Sequence, residues 1–513
     1  MRWQMRPMGR SHLALTLAVA LPFALAVTVP LPSPRGVLPA AATSTVISTA
    51  GGRTVARPAR LIVASRSATI DPGTAADAAT VTLRKFPYPY DAMLAIASDA
   101  DGMTSRKFDL IHRFLNTHEH TALGLGLGLD IGDSFFFFIG TDRPGICDID
   151  GTPWRDQMSY FYHVSTSEWH DAQAIIAFAR AGWIDTLHGL GDFSMQDEKT
   201  TSFRRYLAVA AVKEIRDNGL PSAVWINHGN RSNVENFGNQ TSPYQKGDVK
   251  GAPFRVTDLL APLGIRFVWT RRAASFGMPT MIYPQTLRDG RKVWGFYRYT
   301  DDGYTADGHL RWNWNPRQLY EQLSAAHLAQ LVTARQYAII AQHLGGDAGR
   351  LPIYGENLTA LIRLMREYRH GHILVARTSR LLQYNEVEQC LTYRIGQQDG
   401  RTQIHILRVS DPVLGSRRPS LNELRGITFY TANPGGTDLY LGGCIIPQPL
   451  VQHNPPDSTG WSSLGIRWWP QQTRDATRFT QVDMAERQNP AGPPSPPEQH
   501  ASPQHFLWTD DPI

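Results

Sequence analysis

Between residues 85 and 385, short apolar runs alternate with stretches that place apolar residues along one side of a helix. The apolar runs have the length of buried strands, and the amphipathic stretches repeat with a period of roughly 3.6 residues. The runs that predict strands are AMLAIAS (92–98), TALGLGLGLDIG (121–132), SFFFFIG (134–140), WIDTL (183–187), AVWIN (223–227), IRFVWT (265–270), YAIIAQ (337–342) and HILVAR (372–377). The stretches that predict helices are 104–117, 168–181, 199–218, 316–334 and 356–370. This alternation indicates an α/β fold with a parallel sheet, open or closed.

After residue 386 the helical period ends, and short alternating segments lie between Gly, Pro and Asp turns. These segments are CLTYRIG (390–396), TQIHILRV (402–409), GITFYTA (426–432) and TDLYLGG (437–443). The pattern predicts a smaller antiparallel β domain over residues 386–480. Residues 481–513 are rich in proline and polar residues, and we expect this tail to be disordered.

The first 42 residues predict export. Three arginines lie among the first ten residues, and LALTLAVALPFALAVTVPL (13–31) follows without a charge. This order is typical of a signal peptide over residues 1–42, and it also suits an uncleaved anchor in the inner membrane through residues 12–31. Residues 43–84, rich in Ala, Thr, Pro, Ser and Gly, predict a linker. We therefore expect a periplasmic or secreted protein, and cleavage and anchoring both stay open.

Charge and cysteine content argue against two classes of protein. The net charge is +6 over 513 residues and the arginines are dispersed, so we expect no nucleic-acid partner. The three cysteines, Cys147, Cys390 and Cys444, are too few for a disulfide scaffold. Cys390 and Cys444 either pair in an exported protein or remain isolated thiols.

Polar and ionisable residues follow five of the predicted strands: Asp99 and Asp101, His188 and Asp192, His228 and Asn230, Arg271 and Arg272, and His343. Because the carboxyl ends of parallel strands meet at one edge, we expect these side chains to lie together. Carboxylates and imidazoles are the ligands of zinc and similar divalent ions, which suggests Asp101, His188 and Asp192 as metal ligands. Asp99 is then the candidate base, and His343 is the candidate acid.

Three of these segments resemble motifs of the polysaccharide deacetylase superfamily. Ser98-Asp99-Ala100-Asp101-Gly102 is similar to Thr-Phe-Asp-Asp-Gly, His188-Gly189-Leu190-Gly191-Asp192 to His-(Ser/Thr)-x-x-(His/Ser), and IIAQH (339–343) to Leu-x-Leu-His. The resemblance covers roughly residues 88–380 and implies a deformed (β/α) barrel of the NodB type over 85–385. It also implies Asp99 as base, His343 as general acid, and a divalent metal on Asp101, His188 and Asp192. Zn²⁺ is the first candidate, with Mn²⁺, Co²⁺ or Ni²⁺ as alternatives.

The superfamily's Arg-Pro-Pro-Tyr-Gly motif is replaced here by WINHGNRSN (225–233). His228 or Arg231 would have to stand in for its arginine. We therefore expect the residues that bind substrate to be His228, Asn230, Arg231, Trp225 and Trp269. The two tryptophans either stack on sugar rings or belong to the core.

These residues predict an exported metal-dependent hydrolase that removes acyl groups, N-acetyl above all, from a polysaccharide or envelope glycan. One alternative is a catalytically inactive glycan-binding protein on the same barrel, which would not need the metal. The other alternative is a glycoside hydrolase, which requires two carboxyl groups about 5–10 Å apart. Glu168, Glu235 or Glu356 would have to supply the second carboxyl group of that enzyme.

Overall fold

The computed structural model describes residues 67–70, 81–141, 151–193, 200–229, 231–270, 275–300, 319–345, 353–470 and 474–477. These ranges all belong to one compact unit, Leu61–Ile513. The predicted signal peptide or anchor, most of the predicted linker and the predicted tail lie outside the described residues. Within the described ranges, no helix combines the length and the apolar character that crossing a membrane requires.

The strands follow one another along the chain as β1 (Ser67–Ile70), β2 (Thr82–Leu83), β3 (Ala92–Ser98), β4 (His120–Thr121), β5 (Gly124–Leu125), β6 (Asp133–Phe135), β7 (Phe138–Ile139), β8 (Ile184–His188), β9 (Gly191–Asp192), β10 (Val224–Ile226), β11 (Phe267–Trp269), β12 (Ile282–Thr286), β13 (Lys292–Phe296), β14 (Tyr337–Gln342), β15 (Ile373–Val375), β16 (Leu391–Gln398), β17 (Arg401–Asp411), β18 (Gly415–Arg417), β19 (Thr428–Tyr430), β20 (Thr437–Leu441), β21 (Cys444–Ile445), β22 (Val451–Asn454) and β23 (Ser463–Ile466). The helices are α1 (Ser105–Asn116), α2 (Ala172–Arg180), α3 (Arg205–Asn218), α4 (Thr257–Leu260), α5 (Leu319–Gln322), α6 (Ala325–Thr333), α7 (Gly355–Arg369) and α8 (Thr378–Cys390).

The predicted α/β fold is confirmed by a nine-stranded sheet with the strand order β12-β13-β11-β10-β8-β6-β3-β14. All its pairs are parallel except β12 with β13, and β15 joins the beginning of β3 while β6 joins its end. Apolar runs on both faces explain this arrangement, because strands such as β3 and β14 are buried along their whole length.

The predicted barrel is not confirmed, because the strands of this sheet form an open path within the described residues. Beyond β13, the chain approaches β14 at a single parallel bridge between Tyr299 and Ile340. Two hydrogen bonds hold this bridge, from Tyr299 N to Ile339 O at 2.6 Å and from Ala341 N to Tyr299 O at 2.8 Å. The edge of β13 that a closed ladder requires is taken largely by the antiparallel strand β12.

The predicted helices occur: α1, α2 and α3 are shorter than predicted, and α7 is displaced by one residue from the predicted range 356–370. Thr104 caps α1 by accepting a hydrogen bond from Lys107 N, and α3 ends at Gly219, whose left-handed φ of 62° stops the helix. The predicted helix 316–334 is interrupted within its described part, where Ser324 caps α6 separately from α5. The predicted strand 121–132 is wrong for most of its length, because its glycines leave a two-residue hairpin of β4 and β5.

Helix α8 is an element that the apolar pattern did not predict. Nine of its 13 residues are buried, on all sides of the helix, so its sequence has no polar face and no helical period. It packs against β3, β8 and β12 on one side and against β17 on the other. The helix therefore lies between the nine-stranded sheet and the C-terminal β domain.

The C-terminal β domain contains two sheets, of which one is antiparallel as predicted and the other is mixed. One has the order β1-β16-β17-β20-β21 with β18 on β17, and the other is the antiparallel sheet β2-β19-β23-β22. The first sheet includes two parallel pairs, β1 with β16 and β17 with β20. Strands β1 and β2 come from the segment predicted to be a linker, so parts of that segment belong to the domain. Cys390 is buried and Cys444 is exposed, and both are free thiols.

A cluster of charged side chains connects α8 to the nine-stranded sheet. Asp130, in the loop before β6, accepts hydrogen bonds from Arg377 Nε and Arg380 Nη1, both at 2.9 Å. Burial raises the pKa of Asp130, but the charges of Arg377 and Arg380 outweigh this effect and lower it to about 2. Asp130 is therefore ionised at neutral pH and fixes the beginning of α8.

We expect Asp130→Ala to reduce the free energy of unfolding by roughly 2–3 kcal/mol, because it leaves two partly buried guanidinium groups without their carboxylate. This is below the cost of a fully buried pair, since the Asp130 side chain is 19% exposed. Chemical denaturation at pH 7 measures the change. Asp438→Ala is the matched control, because its partner Arg401 is 44% exposed, so the loss of this pair should cost about 1 kcal/mol or less. Equal losses in the two variants would contradict the structural role of Asp130.

Candidate metal centre

Strand alternation and register bring the predicted site residues to one edge of the sheet. Asp99 and His343 lie one residue beyond Ser98 and Gln342, which pair at the ends of β3 and β14. His188, the last residue of β8, pairs with Ile226 of β10, two residues before His228. Side chains alternate between the two faces of a sheet. Each of these four residues, Asp99, His343, His188 and His228, therefore points to the same face as the residue two positions before it.

Two groups of side chains could each hold a metal ion, and they share Asp101. In the first group, His188 Nε2 lies 2.9 Å from His228 Nδ1 and 3.2 Å from Asp101 Oδ2. Asp101 Oδ1 lies 3.4 Å from His228 Nδ1. The second group contains Asp99, Asp101 and His343. Asp101 and His343 are each about a quarter exposed, so the centre is open to solvent on their side.

The first group fits a divalent cation by its chemistry. Two imidazole nitrogens and a carboxylate oxygen converge, which is the ligand set of zinc and similar ions. Asp101 Oδ2 is buried yet accepts no hydrogen bond. A cation between the three side chains would satisfy this oxygen and separate two imidazole nitrogens that lie in close contact.

Asp192, the predicted third ligand, belongs to neither group among the described residues. Its Oδ1 lies 3.1 Å from His228 Nε2, on the opposite side of the imidazole ring from Asp101. Gln157 Nε2 donates to Asp192 Oδ2 at 3.4 Å. The carboxylate therefore lies behind His228, in the position that outer carboxylates take toward metal-binding histidines.

Asp99 is held by Arg298, a residue that the sequence analysis missed. Arg298 Nη2 lies 3.0 Å from Asp99 Oδ2 and also donates to Ala97 O at 2.6 Å, and both side chains are buried. Burial raises the pKa of Asp99. The positive charge of Arg298, and then that of His188, outweighs the effect of burial and lowers this pKa to about 2. Arg298 follows β13 by two residues, so the strand-end rule would have found it if β13 had been predicted.

His343 lies against both carboxylates of the Asp-x-Asp motif. Its Nε2 is 3.7 Å from Asp99 Oδ2 and 3.6 Å from Asp101 Oδ2. Burial lowers the pKa of His343, but the two negative charges outweigh burial and raise it above its ordinary value. The imidazole therefore takes up a proton more readily than a free histidine does.

The residues predicted to bind substrate lie in different surroundings. Trp225 is fully buried, packs on Phe237 and donates from Nε1 to Asn227 Oδ1, so it belongs to the core. Trp269 is 2% exposed, and the guanidinium of Arg298 lies 4.6 Å from its ring centre. Arg231 is exposed, whereas Asn230, Arg271 and Arg272 lie outside the described residues.

Glu235 is a fully buried carboxyl group beside the centre. Burial raises its pKa to about 8, and the negative charge of Asp192 contributes further. The Glu235 side chain is also one reason why residue 189 is a glycine. Gly189 has a φ of +59°, and a Cβ atom at this position would lie 3.3 Å from Glu235 Oε1. The other two carboxyl groups that a glycoside hydrolase could use, Glu168 and Glu356, are exposed and absent from both ligand groups.

Comparison with known proteins does not assign a family. No family model matches the chain, and no curated protein matches it. One solved structure, a candidate polysaccharide deacetylase from Mycobacterium smegmatis, is 12% identical over 61% of this chain and 98% of that chain, with a TM-score of 0.32. This description names the superfamily that the motifs resemble, but an overlap at this level assigns neither fold nor activity. The function therefore has to follow from the chemistry of the site.

The raised pKa of the buried Glu235 makes the stability of the fold depend on pH. Its pKa is raised from 4.5 to about 8, so between these values the folded protein binds more protons than the unfolded chain. Stability is therefore lost as pH rises, by up to about 1.4 kcal/mol per pH unit. We expect Glu235→Gln to remove this loss, so the variant should gain stability relative to the wild type between pH 5 and pH 8.

Thermal unfolding of both proteins in the presence of a chelator measures this difference. Glu356→Gln, at an exposed position, is the control and should run parallel to the wild type. A difference between Glu235→Gln and the wild type that does not change with pH would contradict a protonated Glu235.

Proposed function

We propose that this protein is an exported metal-dependent hydrolase that removes acyl groups, N-acetyl above all, from a polysaccharide or envelope glycan. The observation that carries the proposal is the convergence of Asp101, His188 and His228 within 4.8 Å of one another. Asp99 and His343 border the same cluster and supply a base and an acid. Export rests on the charge and apolar pattern of residues 1–42.

Asp101, His188 and His228 would hold the metal, with Zn²⁺ as the first candidate and Mn²⁺, Co²⁺ or Ni²⁺ as alternatives. A divalent ion bound there lowers the pKa of water and polarises an acyl carbonyl. Asp192 fixes the ring of His228 from behind through its 3.1 Å contact with Nε2. With Nε2 engaged in this contact, the ring nitrogen that lies toward Asp101 and His188 is Nδ1.

Asp99 and His343 divide the proton transfers between them. Asp99 is ionised across the neutral range, so its carboxylate can accept a proton from the attacking water while Arg298 holds its orientation. His343 has a raised pKa and a partly exposed ring, so it can donate a proton to the departing amine or alcohol. Both groups lie beside Asp101, which keeps the two transfers at the same centre.

We expect the purified protein to contain about one divalent metal ion per chain and to release acetate from acetylated glycans. His188→Ala should lose both, because it removes one of the three ligands. Asp99→Asn should keep the metal and lose about 10²–10⁴-fold in rate, the usual contribution of a general base. Elemental analysis and acetate release, measured side by side, test this.

His372→Ala is the matched control, because His372 is exposed and pairs with Glu367 away from the cluster. It should retain both the metal and the activity. Failure to bind any divalent ion after reconstitution would overturn the hydrolase and favour an inactive glycan-binding protein. Cleavage of glycosidic bonds without acyl release would favour a glycoside hydrolase instead.

The contact of Arg298 with Asp99 leads to a separate prediction about the pH dependence of the reaction. Arg298→Met removes the charge that lowers the pKa of Asp99, so the acidic limb of the profile of kcat/KM against pH should move to higher pH. Arg298→Lys keeps the positive charge but lacks the planar guanidinium group. It should return the acidic limb to its wild-type pH and recover part of the lost kcat/KM. A pH profile unchanged in Arg298→Met, with the fold intact by circular dichroism, would contradict this role.

A further inference from the structure

A β-hairpin of exposed aromatic residues projects beside the metal centre. We define the aromatic hairpin as residues 160–170. Phe161 and Trp169 form an antiparallel bridge, and Tyr162 N donates to Glu168 O at 2.8 Å. His170 N donates to Tyr160 O at 3.0 Å, which closes the base of the hairpin.

The hairpin combines one buried aromatic ring with two exposed ones. Phe161 is buried and stacks on Phe138, with ring centres 5.3 Å apart and planes within 7°. Trp169 lies opposite Phe161 in the bridge, on the same face of the hairpin, and is 62% accessible. Tyr162 lies on the other face beside His170 and is 41% accessible. Exposed aromatic rings beside a buried anchor are typical of a binding surface.

The exposed ring of Tyr162 is held in place by its neighbours. Tyr162 stacks on His163 at 4.1 Å and meets His170 edge-on at 5.7 Å. His163 Nε2 lies 2.9 Å from Asp156 Oδ1. His163 also has a φ of 50°, a left-handed conformation that is unfavourable for a residue other than glycine and needs such support. A ring that is already ordered loses little entropy when it binds a ligand.

Backbone pairing places the hairpin close to the metal centre. Ile139 N donates to His163 O at 3.1 Å, and Ile139 pairs in parallel with Asp192. Two such strand spacings amount to about 10 Å between the hairpin and Asp192. Asp192 in turn contacts the ligand His228.

A second connection leads to the other side of the centre. The indole of Trp154 covers Gly102, the residue after Asp101, so closely that a Cβ atom there would lie 2.8 Å from Trp154 Cζ2. Gln157 accepts a hydrogen bond from Gly102 N at 2.6 Å. The chain from Trp154 to the hairpin is thus fixed to the loop that carries Asp101.

The composition of the hairpin identifies the kind of ligand. Residues 160–170 contain Tyr, Trp, His, Ser and Thr but no Lys or Arg, so an anionic surface or nucleic acid has no counter-charge there. Aromatic faces with hydroxyl and imidazole groups at their edges suit a neutral ring that is apolar on its faces and hydroxylated at its rim. A pyranose has this character.

We propose that the aromatic hairpin binds the sugar rings next to the acylated residue, and so makes this a site for an extended polysaccharide rather than a single sugar. This inference rests on the proposed function for the position of the acylated residue. The binding surface itself is independent of turnover. Trp169 and Tyr162 would each provide a stacking face, with His163 and Asp156 holding the Tyr162 ring in place.

Binding is tested in the Asp99→Asn background by affinity electrophoresis in glycol chitin and in acetylated xylan. Trp169→Ala and Tyr162→Ala should each weaken the retardation by at least one of these polymers about 3- to 10-fold, as expected for one aromatic contact. The double variant should be weaker than either. Trp461→Ala is the matched control, because Trp461 is 47% exposed but lies in the C-terminal β domain.

The same substitutions in the active background should lower the ratio of kcat/KM for the polymer to that for the acetylated monosaccharide. One outcome is that the hairpin variants lose retardation while the wild type releases no acyl groups. This outcome would overturn the proposed function but would still support the hairpin as a polysaccharide surface. Retardation that is unchanged in the double variant, equally reduced in Trp461→Ala, or absent in the wild type for both polymers would overturn the hairpin as a polysaccharide surface.

Discussion

The parallel pairing of β3 with β14 is the constraint on which the site depends. It sets Ser98 against Gln342, so that Asp99 and His343 leave the sheet side by side. A shift of one residue in this register would turn one of the two side chains to the opposite face. The pairing of β8 with β10 does the same for His188 and His228. The chemistry therefore depends on the backbone ladders more than on any single contact between side chains.

The second constraint is the balance between negative and positive side chains that are buried or partly buried at this edge of the sheet. Asp99 and Asp101 carry negative charge into the edge of the sheet, and unpaired they would be costly. Arg298 compensates Asp99, while His188, His228 and His343 surround Asp101. The pKa of His228 shows this, because burial lowers it but Asp101 and then Asp192 raise it to about 9. A cluster with this balance is suited to take up a divalent cation in exchange for protons.

The candidate metal centre and the aromatic hairpin have opposite physical properties. The centre works through buried charge at short distances, where a low dielectric strengthens each interaction. The hairpin instead exposes the rings of Trp169 and Tyr162 to solvent. Residues Trp154 and Gln157 join the two, because both contact Gly102 beside Asp101. One loop thus supports the candidate catalytic centre and extends it toward solvent.

The sequence by itself determined the α/β class, most helices, and the strand ends that carry Asp99, Asp101, His188 and His343, because these follow from periodicity and strand direction within single elements. Tertiary structure decided that His228, not Asp192, lies beside Asp101 and His188, and that Arg298 holds Asp99. It also placed Trp225 in the core and α8 between two sheets. Distances between separate elements depend on register, twist and packing, and a linear pattern of residues does not contain them.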